Sequence, residues 1–512
     1  MSNGCLDKVG EKAEPTGTWP SLEDGNLGEH HEVHDPAERP KPFTTLAAMG
    51  VGHSISNTAI TVIVGLSSGI SFGGGPLYFW SFLLMALVAL CVAVSLGELS
   101  SAMPHAGGQY FWVAQLCPPN RFRRLISYMV GILAWASAVC TGTSVCLAVP
   151  QMVLGMISLK SPDFVQKPWM LFVGFQMTNW VTFTFNCFER ILPLCNKSIL
   201  AFTVSALIVI FISLLAAPRT RAPPRFVFLD IWNESGWASW VAFLIGMNGT
   251  NWGFSCLDAA SHLADEVPDP RRDIPKALLS TVALGTFTGI PITLALFFAI
   301  SNMDNVVTSG VPSLEILYQA FNGNFAAAIG LQTLVLISAT GAIVGIHTWQ
   351  SRMAYAFSRD GGFPFSKHMG KIAPSPFSTP VWAHVWSSVW ISLLGCLSLG
   401  STTALNSFIA AGILLQYITY STAIVLLLLR GRHNLAHGPF WFPRIGYIAN
   451  IVTVAWCVIS VIFYCFPYAL PVQAGKMNYV SCVLVGIILY ALAYWVFYGR
   501  TRFVIPASDT LH

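Results

Sequence analysis

Twelve long apolar runs, separated by short polar segments, follow one another between residues 43 and 499. About 20 apolar residues are enough for a helix to span the hydrocarbon core of a bilayer. Only 10% of the 512 residues are charged and 54% are hydrophobic, which is too little charge to cover a water-facing surface. We therefore predict an all-α polytopic membrane protein and exclude a soluble enzyme and a disordered chain. The predicted spans are 43–70, 76–97, 124–156, 168–187, 191–217, 237–262, 277–301, 323–350, 380–399, 402–429, 446–470 and 478–499.

The segments outside the spans are short, and the longest is the N-terminal tail of residues 1–42. Nine acidic residues against four basic ones give this tail a net charge of −5. Its polar composition predicts a disordered cytoplasmic segment. It contains no basic stretch followed by an apolar one, so no cleavable signal peptide is expected. Residues 501–512 are predicted to form a second, short cytoplasmic tail.

The basic residues predict the orientation of the chain in the membrane. With twelve spans both termini lie on one side, and 21 of the 27 Lys and Arg residues fall on that side. Because basic residues accumulate in cytoplasmic loops, both termini are predicted to be cytoplasmic. The plasma membrane is the expected location. The sequon at Asn233, in the predicted outer loop between spans 5 and 6, is the one plausible glycosylation site.

Spans 1 and 6 contain residues that interrupt helices. The stretches 50–58 and 246–258 both mix Gly with Ser, Thr and Asn. Irregular backbone at membrane depth is tolerated where it lines a cavity, and paired breaks in corresponding spans of two inverted repeats indicate a transport site. Close helix packing through small residues is the alternative for either stretch.

Asp258 is the one carboxylate predicted to lie deep within a span. An acid inside the membrane is costly, so it is a candidate functional residue, and burial would allow it to exchange a proton near neutral pH. The alternative is that Asp258 lies near the inner end of span 6 and bonds a neighbouring helix.

Three segments at predicted cytoplasmic ends of spans resemble those of the amino acid–polyamine–organocation superfamily. They are Gly97–Tyr110 after span 2, Asp265–Ala277 after span 6 and Ser351–Pro364 after span 8. The resemblance covers residues 43–500 and is greatest to the fungal amino acid/choline transporter group, which includes GABA and choline permeases.

This resemblance implies a LeuT-like fold of two inverted five-helix repeats with two appended spans. The first repeat covers about residues 43–217, the second about 237–429, and spans 11 and 12 about 446–499. It further implies a secondary transporter that moves a small amine or amino acid, such as GABA or choline, by proton symport. The implied partners are the substrate, protons and the lipid bilayer; no nucleic acid, cofactor or metal is expected.

The same resemblance implies which residues form the site. The substrate is expected against Ile55, Ser56, Asn57 and Thr58 of span 1 and against Trp252 and Ser255 of span 6. The free N–H groups of a half-helix favour an anion, and an indole face attracts an ammonium group. Asp258 is the expected proton-coupling residue, with His53 as a second candidate that could equally be structural. Packing or an interfacial position is the alternative role for Trp252.

Where relatives often have Gly-Tyr-Asp, this chain has Cys256, Leu257 and Asp258, which makes the usual substrate doubtful. An exporter or transporter of a specialised metabolite, such as an alkaloid or its precursor, is therefore one alternative. A non-transporting nutrient sensor is another. No P-loop, GxSxG or metal-ligand pattern indicates an enzyme.

Overall fold

The computed structural model describes residues 45–161, 163–399, 402–473 and 477–506. The predicted tail of residues 1–42 and most of the predicted C-terminal tail lie outside these ranges. The described residues contain helices and connecting segments, with no strand among them. The helices in chain order are α1 (Thr45–Ser56), α2 (Thr58–Gly69), α3 (Gly74–Ala102), α4 (Gln109–Leu116), α5 (Arg123–Lys160), α6 (Pro168–Phe185), α7 (Leu192–Ala216), α8 (Pro224–Phe228), α9 (Ser239–Trp252), α10 (Pro270–Phe298), α11 (Met303–Thr308), α12 (Pro312–Ala320), α13 (Phe325–Arg359), α14 (Ser366–Met369), α15 (Val381–Gly395), α16 (Thr402–Arg430), α17 (Pro443–Phe463), α18 (Val480–Tyr494) and α19 (Arg500–Arg502).

Nine helical segments of the described chain are long and apolar enough to cross a membrane. They coincide with predicted spans 1, 2, 3, 5, 7, 8, 10, 11 and 12 and are Met49–Phe72, Gly74–Ala102, Arg123–Lys160, Leu192–Ala216, Pro270–Phe298, Phe325–Arg359, Ser407–Arg430, Pro443–Phe463 and Val480–Arg502. Helices α6, α9 and α15 occupy predicted spans 4, 6 and 9 but are not among the nine. The polytopic all-helical class is therefore confirmed, whereas twelve spans and inverted repeats stay predictions.

Several helices differ from the spans expected from hydropathy. The span 8 helix, α13, continues to Arg359, nine residues beyond its expected end, so Arg352 is helical rather than in a loop. Its side chain is buried. The connection before α13 was expected to be a loop and contains α11 and α12. Hydropathy misses such elements because it reports only the apolar length of a segment, not where the backbone hydrogen bonds end.

The central bundle is formed by α1, α2 and α9 packed with α3, α5, α10, α13 and α16. Glycines permit a close approach between α2 and α9. A Cβ atom on Gly249 would lie 3.1 Å from the carbonyl oxygen of Gly65, and one on Gly65 would lie 3.2 Å from that of Gly249. The alternative of packing through small residues therefore holds for Gly249. The helix breaks lie elsewhere in the same two spans.

A buried ion pair holds the end of α3 that carries Glu98. Arg432, which follows α16, contacts both carboxylate oxygens of Glu98, at 2.8 and 3.0 Å. The backbone N–H of Phe442 donates to the same carboxylate at 2.8 Å. Glu98 is fully buried, and the ring of Trp441 lies 4.3 Å from the Arg432 guanidinium. This pair joins the connection between α16 and α17 to α3.

Candidate functional site

Span 1 is interrupted at one residue, Asn57. Its φ of 35° and ψ of 50° are left-handed, a conformation that Asn adopts more readily than most residues because its short polar side chain can bond locally. Backbone bonds cross the interruption, from Asn57 N to the carbonyl of His53 and from Thr61 N to that of Asn57. Gly50 and Gly52 remain helical. The break is therefore confined to one end of the expected stretch.

Span 6 is interrupted over a longer segment. Helix α9 ends at Trp252, and a 3₁₀ segment begins at Leu257, so the interruption lies within the stretch 246–258 in which it was expected. Cys256 has a φ of 63°, which is strained for a residue other than Gly. Its N–H donates to the side-chain oxygen of Gln416 on α16, at 2.7 Å. Side chains from α16 thus satisfy the opened backbone, as a break inside a membrane requires.

The two interruptions contact one another. The Ser56 hydroxyl donates to the carbonyl of Ser255 at 3.0 Å. A small cavity of about 20 Å³ lies beside them, lined by Ile55, Asn57, Trp252 and Ser255 among others. That volume has room for roughly one water molecule and not for a substrate. Ser56 and Thr58 do not line it.

A larger cavity of about 500 Å³ shares the lining residues Val64, Ala148 and Trp252 with the small one. Its lining also includes Glu234, from the predicted outer loop between spans 5 and 6, and Tyr468, near the end of predicted span 11. A cavity of this size can enclose a small organic molecule. We call the larger space the outer cavity and the smaller one the central cavity.

Asp258 lies on the 3₁₀ segment and is buried within a polar cluster rather than isolated. Gln109 Nε2 donates to its Oδ2 at 2.6 Å, and the Tyr420 hydroxyl donates to its Oδ1. His262 Nε2 lies 3.3 Å from the same Oδ2. The carboxyl group is thus held by α4, by α16 and by its own segment.

The contacts of His262 link Asp258 to the segment before α4. His262 Nδ1 lies 2.7 Å from the carbonyl oxygen of Ala106, which can only accept a hydrogen bond. With the hydrogen on Nδ1 donated to Ala106, a hydrogen on either His262 Nε2 or Asp258 Oδ2 would complete a hydrogen bond between these two atoms.

His53 is buried on α1, and neither of its ring nitrogens has a hydrogen-bond partner among the described residues. No hydrogen bond joins it to Asp258. The histidine that does contact Asp258 is His262, which the sequence reasoning missed. Its position four residues after Asp258 could have indicated the contact, because residues i and i+4 on a helical segment lie close together. The proton-coupling role of His53 stays a prediction.

The three segments that carry the family resemblance converge beside this cluster. Glu266 pairs with Arg352 at 3.1 Å, and Asp265 pairs with Arg359 at 3.6 Å. These contacts join the end of the 3₁₀ segment to the end of α13. Tyr110 of α4 belongs to the third segment and donates to Asp360 at 2.8 Å. Together they close the predicted cytoplasmic side below Asp258.

Asp360, which follows α13, is expected to make stability depend on pH. Burial raises the pKa of its carboxyl group to about 7, although the Tyr110 hydroxyl and Arg359 both lower it. The folded state therefore binds this proton more tightly than the unfolded state. The contribution of the protonated Asp360 to stability is fully present below about pH 4 and is lost as pH rises through 7. Asparagine does not titrate, so the free energy of unfolding of Asp360→Asn should increase relative to that of the original chain by roughly 2 kcal/mol from pH 5 to pH 8. Thermal unfolding of both purified proteins at the two pH values measures this, and an unchanged difference would contradict it.

Asn233 lies in the connection between α8 and α9, as predicted, but its side chain is engaged. Its Nδ2, the atom to which a glycan is attached, donates to the carbonyl of Trp237 at 2.8 Å. Its Oδ1 accepts from the Ser235 hydroxyl at 2.6 Å. Modification of Asn233 would thus have to precede closure of this turn, and glycosylation stays a prediction.

Comparison with known proteins gives this geometry a context. The family model described as "Amino acid permease" matches residues 43–489. "Transmembrane transporter swnT" of Metarhizium robertsii is 46% identical over 91% of this chain and 93% of that protein. "Swainsonine transporter swnT" of Arthroderma benhamiae is 44% identical over 90% and 92%. The "Choline transporter" of Saccharomyces cerevisiae is 38% identical over 90% and 82%. All three relatives are named as transporters, as the resemblance predicts.

Proposed function

Because this chain belongs to the amino acid permease family, we propose that it is a proton-coupled secondary transporter of a small amine or amino acid. The observation that carries this proposal is the meeting of two interrupted spans at a central cavity, beside a buried acid. Such a site lies near the midplane in transporters that work by alternating access. The proposed architecture has twelve spans in two inverted repeats plus two further spans, with both termini in the cytoplasm of a plasma-membrane protein.

The conformation of the two cavities supports an alternating-access cycle. The outer cavity has room for a molecule of substrate size, the central cavity does not, and the ion pairs beyond Asp258 join the end of the 3₁₀ segment to α13. Outward movement of Trp252 would join the two cavities and admit substrate. Rupture of the Glu266–Arg352 and Asp265–Arg359 pairs would then be needed for release on the other side.

An ammonium group is the substrate feature that fits these surroundings best. Trp252 offers an aromatic face, and Thr141 and Ser255 add hydroxyl groups at the central cavity. The lining of the outer cavity contains Glu234 and no basic residue among the described residues. A relative named for choline supports a quaternary or primary amine as substrate.

A specialised metabolite is the second candidate substrate. The observation that favours it is that one relative at 44% identity is named for swainsonine, and another at 46% carries the same transporter symbol. Cys256 also lines the central cavity, at a position where relatives often have Gly. Its Sγ lies 3.3 Å from Gln416 Nε2. Net export rather than uptake would follow from the gradients, not from the site.

Proton coupling is proposed to reside in the Asp258–His262 pair. One proton shared between the two groups would make the pair neutral overall, as either an acid with a neutral imidazole or a carboxylate with an imidazolium. Loss of that proton places two lone pairs at 3.3 Å, and the resulting repulsion weakens the bond from His262 to Ala106. Since Ala106 precedes α4, proton release and opening of the predicted cytoplasmic side would be linked.

The test is uptake and release of labelled choline, GABA, basic amino acids, polyamines and swainsonine by cells that lack their own amine and amino acid permeases. Faster uptake at acidic than at neutral external pH is expected for at least one compound. Binding of a compound without transport would favour a sensor instead. Neither transport nor binding of any compound would overturn the proposal.

Trp252→Ala is expected to weaken the apparent affinity for a cationic substrate. A cation–π contact contributes about 0.5–2 kcal/mol, which corresponds to a roughly 2–30-fold rise in KM. Trp252→Phe retains an aromatic face and should raise KM less. Initial uptake rates over a range of substrate concentrations measure both, normalised to the amount of transporter in the membrane. An equal KM for the Ala variant and the original chain would remove the aromatic contact from the proposal.

A further inference from the structure

Two long parts of the chain contain basic residues but no acidic ones. No Asp or Glu occurs between Glu98 and Asp163, and none occurs between Asp360 and Asp509. Both parts contribute arginines at the ends of their helices. Where these ends meet in space, arginines accumulate. Two acidic residues border them, and both side chains are bonded elsewhere: Glu98 to Arg432, and Asp360, whose carbonyl accepts from Val504, to the Tyr110 hydroxyl.

Hydrogen bonds join four helix ends from these two parts of the chain. Gln115, in the last turn of α4, accepts at its carbonyl from Arg430 at 2.8 Å. The Gln115 side chain donates to the carbonyl of Pro506 at 3.2 Å. Arg124, in the first turn of α5, donates to the carbonyls of Arg500 and Phe503 at 3.2 and 2.5 Å. The end of α4, the start of α5, the end of α16 and the residues after α18 therefore form one corner, on the predicted cytoplasmic side.

Three further arginines of this corner keep their guanidinium groups available. Arg121, Arg500 and Arg502 are exposed, and their side chains make no hydrogen bond or ion pair with any other residue in the described ranges. Arg121 lies over Phe122, 4.7 Å from the ring centre, and Arg502 lies over Tyr498 at 5.3 Å. We call Arg121, Arg124, Arg500 and Arg502 the arginine corner.

The surroundings of the arginine corner are those of a membrane interface. Phe122 is 47% exposed and Phe497 is 86% exposed, although both are large apolar side chains. Aromatic residues beside arginines are typical of the level of the lipid headgroups. A cluster of four arginines next to the end of a spanning helix attracts anionic lipids, at about 1 kcal/mol for each basic residue near the surface.

We propose that the arginine corner binds the headgroup of an anionic phospholipid. The guanidinium groups supply forked donors that match phosphate oxygens, and the exposed aromatic rings contact the upper acyl chains. A bound headgroup would tie α5 to the residues after α18, which at present are joined only by the bonds of Arg124 to backbone carbonyls and by packing. Lipid binding would thus stabilise the contact between spans 3 and 12, independently of the transported substrate.

The test uses the purified full-length chain in nanodiscs of phosphatidylcholine alone or mixed with phosphatidylserine. The apparent unfolding temperature should rise in the anionic discs, and the rise should shrink at high salt because exposed charges are screened. Arg121→Gln/Arg500→Gln/Arg502→Gln should lose more than half of the rise. A matched variant, Arg271→Gln/Lys367→Gln/Lys371→Gln, removes three exposed bases elsewhere and should keep it.

Two results would overturn the lipid site. One is equal stability of the original chain in both kinds of nanodisc. The other is equal loss of the lipid effect in the two triple variants, which would indicate general attraction to charge. Inorganic phosphate added to the phosphatidylcholine discs should not reproduce the rise; if it does, the corner binds free phosphate rather than lipid. Single Arg121→Gln and Arg502→Gln variants repeat the comparison should the triple variant fail to fold.

Discussion

Asp258→Asn is expected to yield a folded transporter that exchanges substrate but no longer accumulates it against a gradient. A pH difference of one unit supplies about 1.4 kcal/mol for each coupled proton, or about tenfold accumulation. The asparagine cannot carry that proton, so the internal substrate concentration should not exceed the external one. Exchange of internal for external substrate requires only the alternating movement and should continue.

The geometry around Asp258 predicts that this variant folds. An asparagine can place its oxygen toward Tyr420 and its amide nitrogen toward His262 Nε2, which then accepts as a neutral imidazole. Gln109 must turn its amide to present an oxygen, and its Oε1 has no partner among the described residues, so this rotation breaks no other bond. A neutral side chain therefore forms a complete set of hydrogen bonds in the place of the proton-sharing pair.

The measurement is accumulation of a transported substrate in proteoliposomes with and without a pH gradient, alongside counterflow exchange. His262→Gln keeps a donor for Ala106 but cannot titrate, and it should show the same separation of exchange from accumulation. Asp304→Asn alters an exposed acid outside the site and should behave like the original chain. Unchanged proton-driven accumulation by Asp258→Asn would disprove the coupling role of the pair.

The sequence indicated the helix breaks because their chemistry is local. Asn57 tolerates a left-handed backbone, and the Gly and Ser residues near Cys256 cannot by themselves continue a stable helix. The extent of each break was less predictable. Whether a backbone opens at one residue or at four depends on which side chains can satisfy it, and the partner of the Cys256 N–H is Gln416, 160 residues away.

The surroundings of Asp258 were not predictable for the same reason. Sequence reasoning found it because a carboxylate is conspicuous inside an apolar run, but it named no bonding partner. Gln109 and Tyr420, which bond it, lie 149 and 162 residues away along the chain. His53 was chosen because it lies next to a predicted break, and His262 was not considered. Proximity in sequence to the expected site was therefore a poorer guide than the i, i+4 spacing.

Arg432→Met is expected to be the most destabilising single change discussed for this protein. It leaves the carboxylate of Glu98, which is fully buried, with the Phe442 N–H as its main remaining donor. Removing one partner of a buried ion pair typically costs about 3–5 kcal/mol, because the other charge remains desolvated. The loss of the contact with Trp441 adds to this. The apparent unfolding temperature and the yield of folded protein should both fall strongly.

A double variant distinguishes the effect of the uncompensated charge on stability from the effect of lost packing. Glu98→Gln/Arg432→Met removes both charges and keeps an acceptor for Phe442, so it should recover a large part of the stability lost by Arg432→Met. Arg225→Met is the matched control, because its ion pair with Asp230 is exposed and should contribute less than about 1 kcal/mol. Thermal unfolding of the four purified proteins in one lipid mixture gives the comparison. If the double variant were as unstable as Arg432→Met, packing rather than the buried charge would hold α3 to the connection before α17.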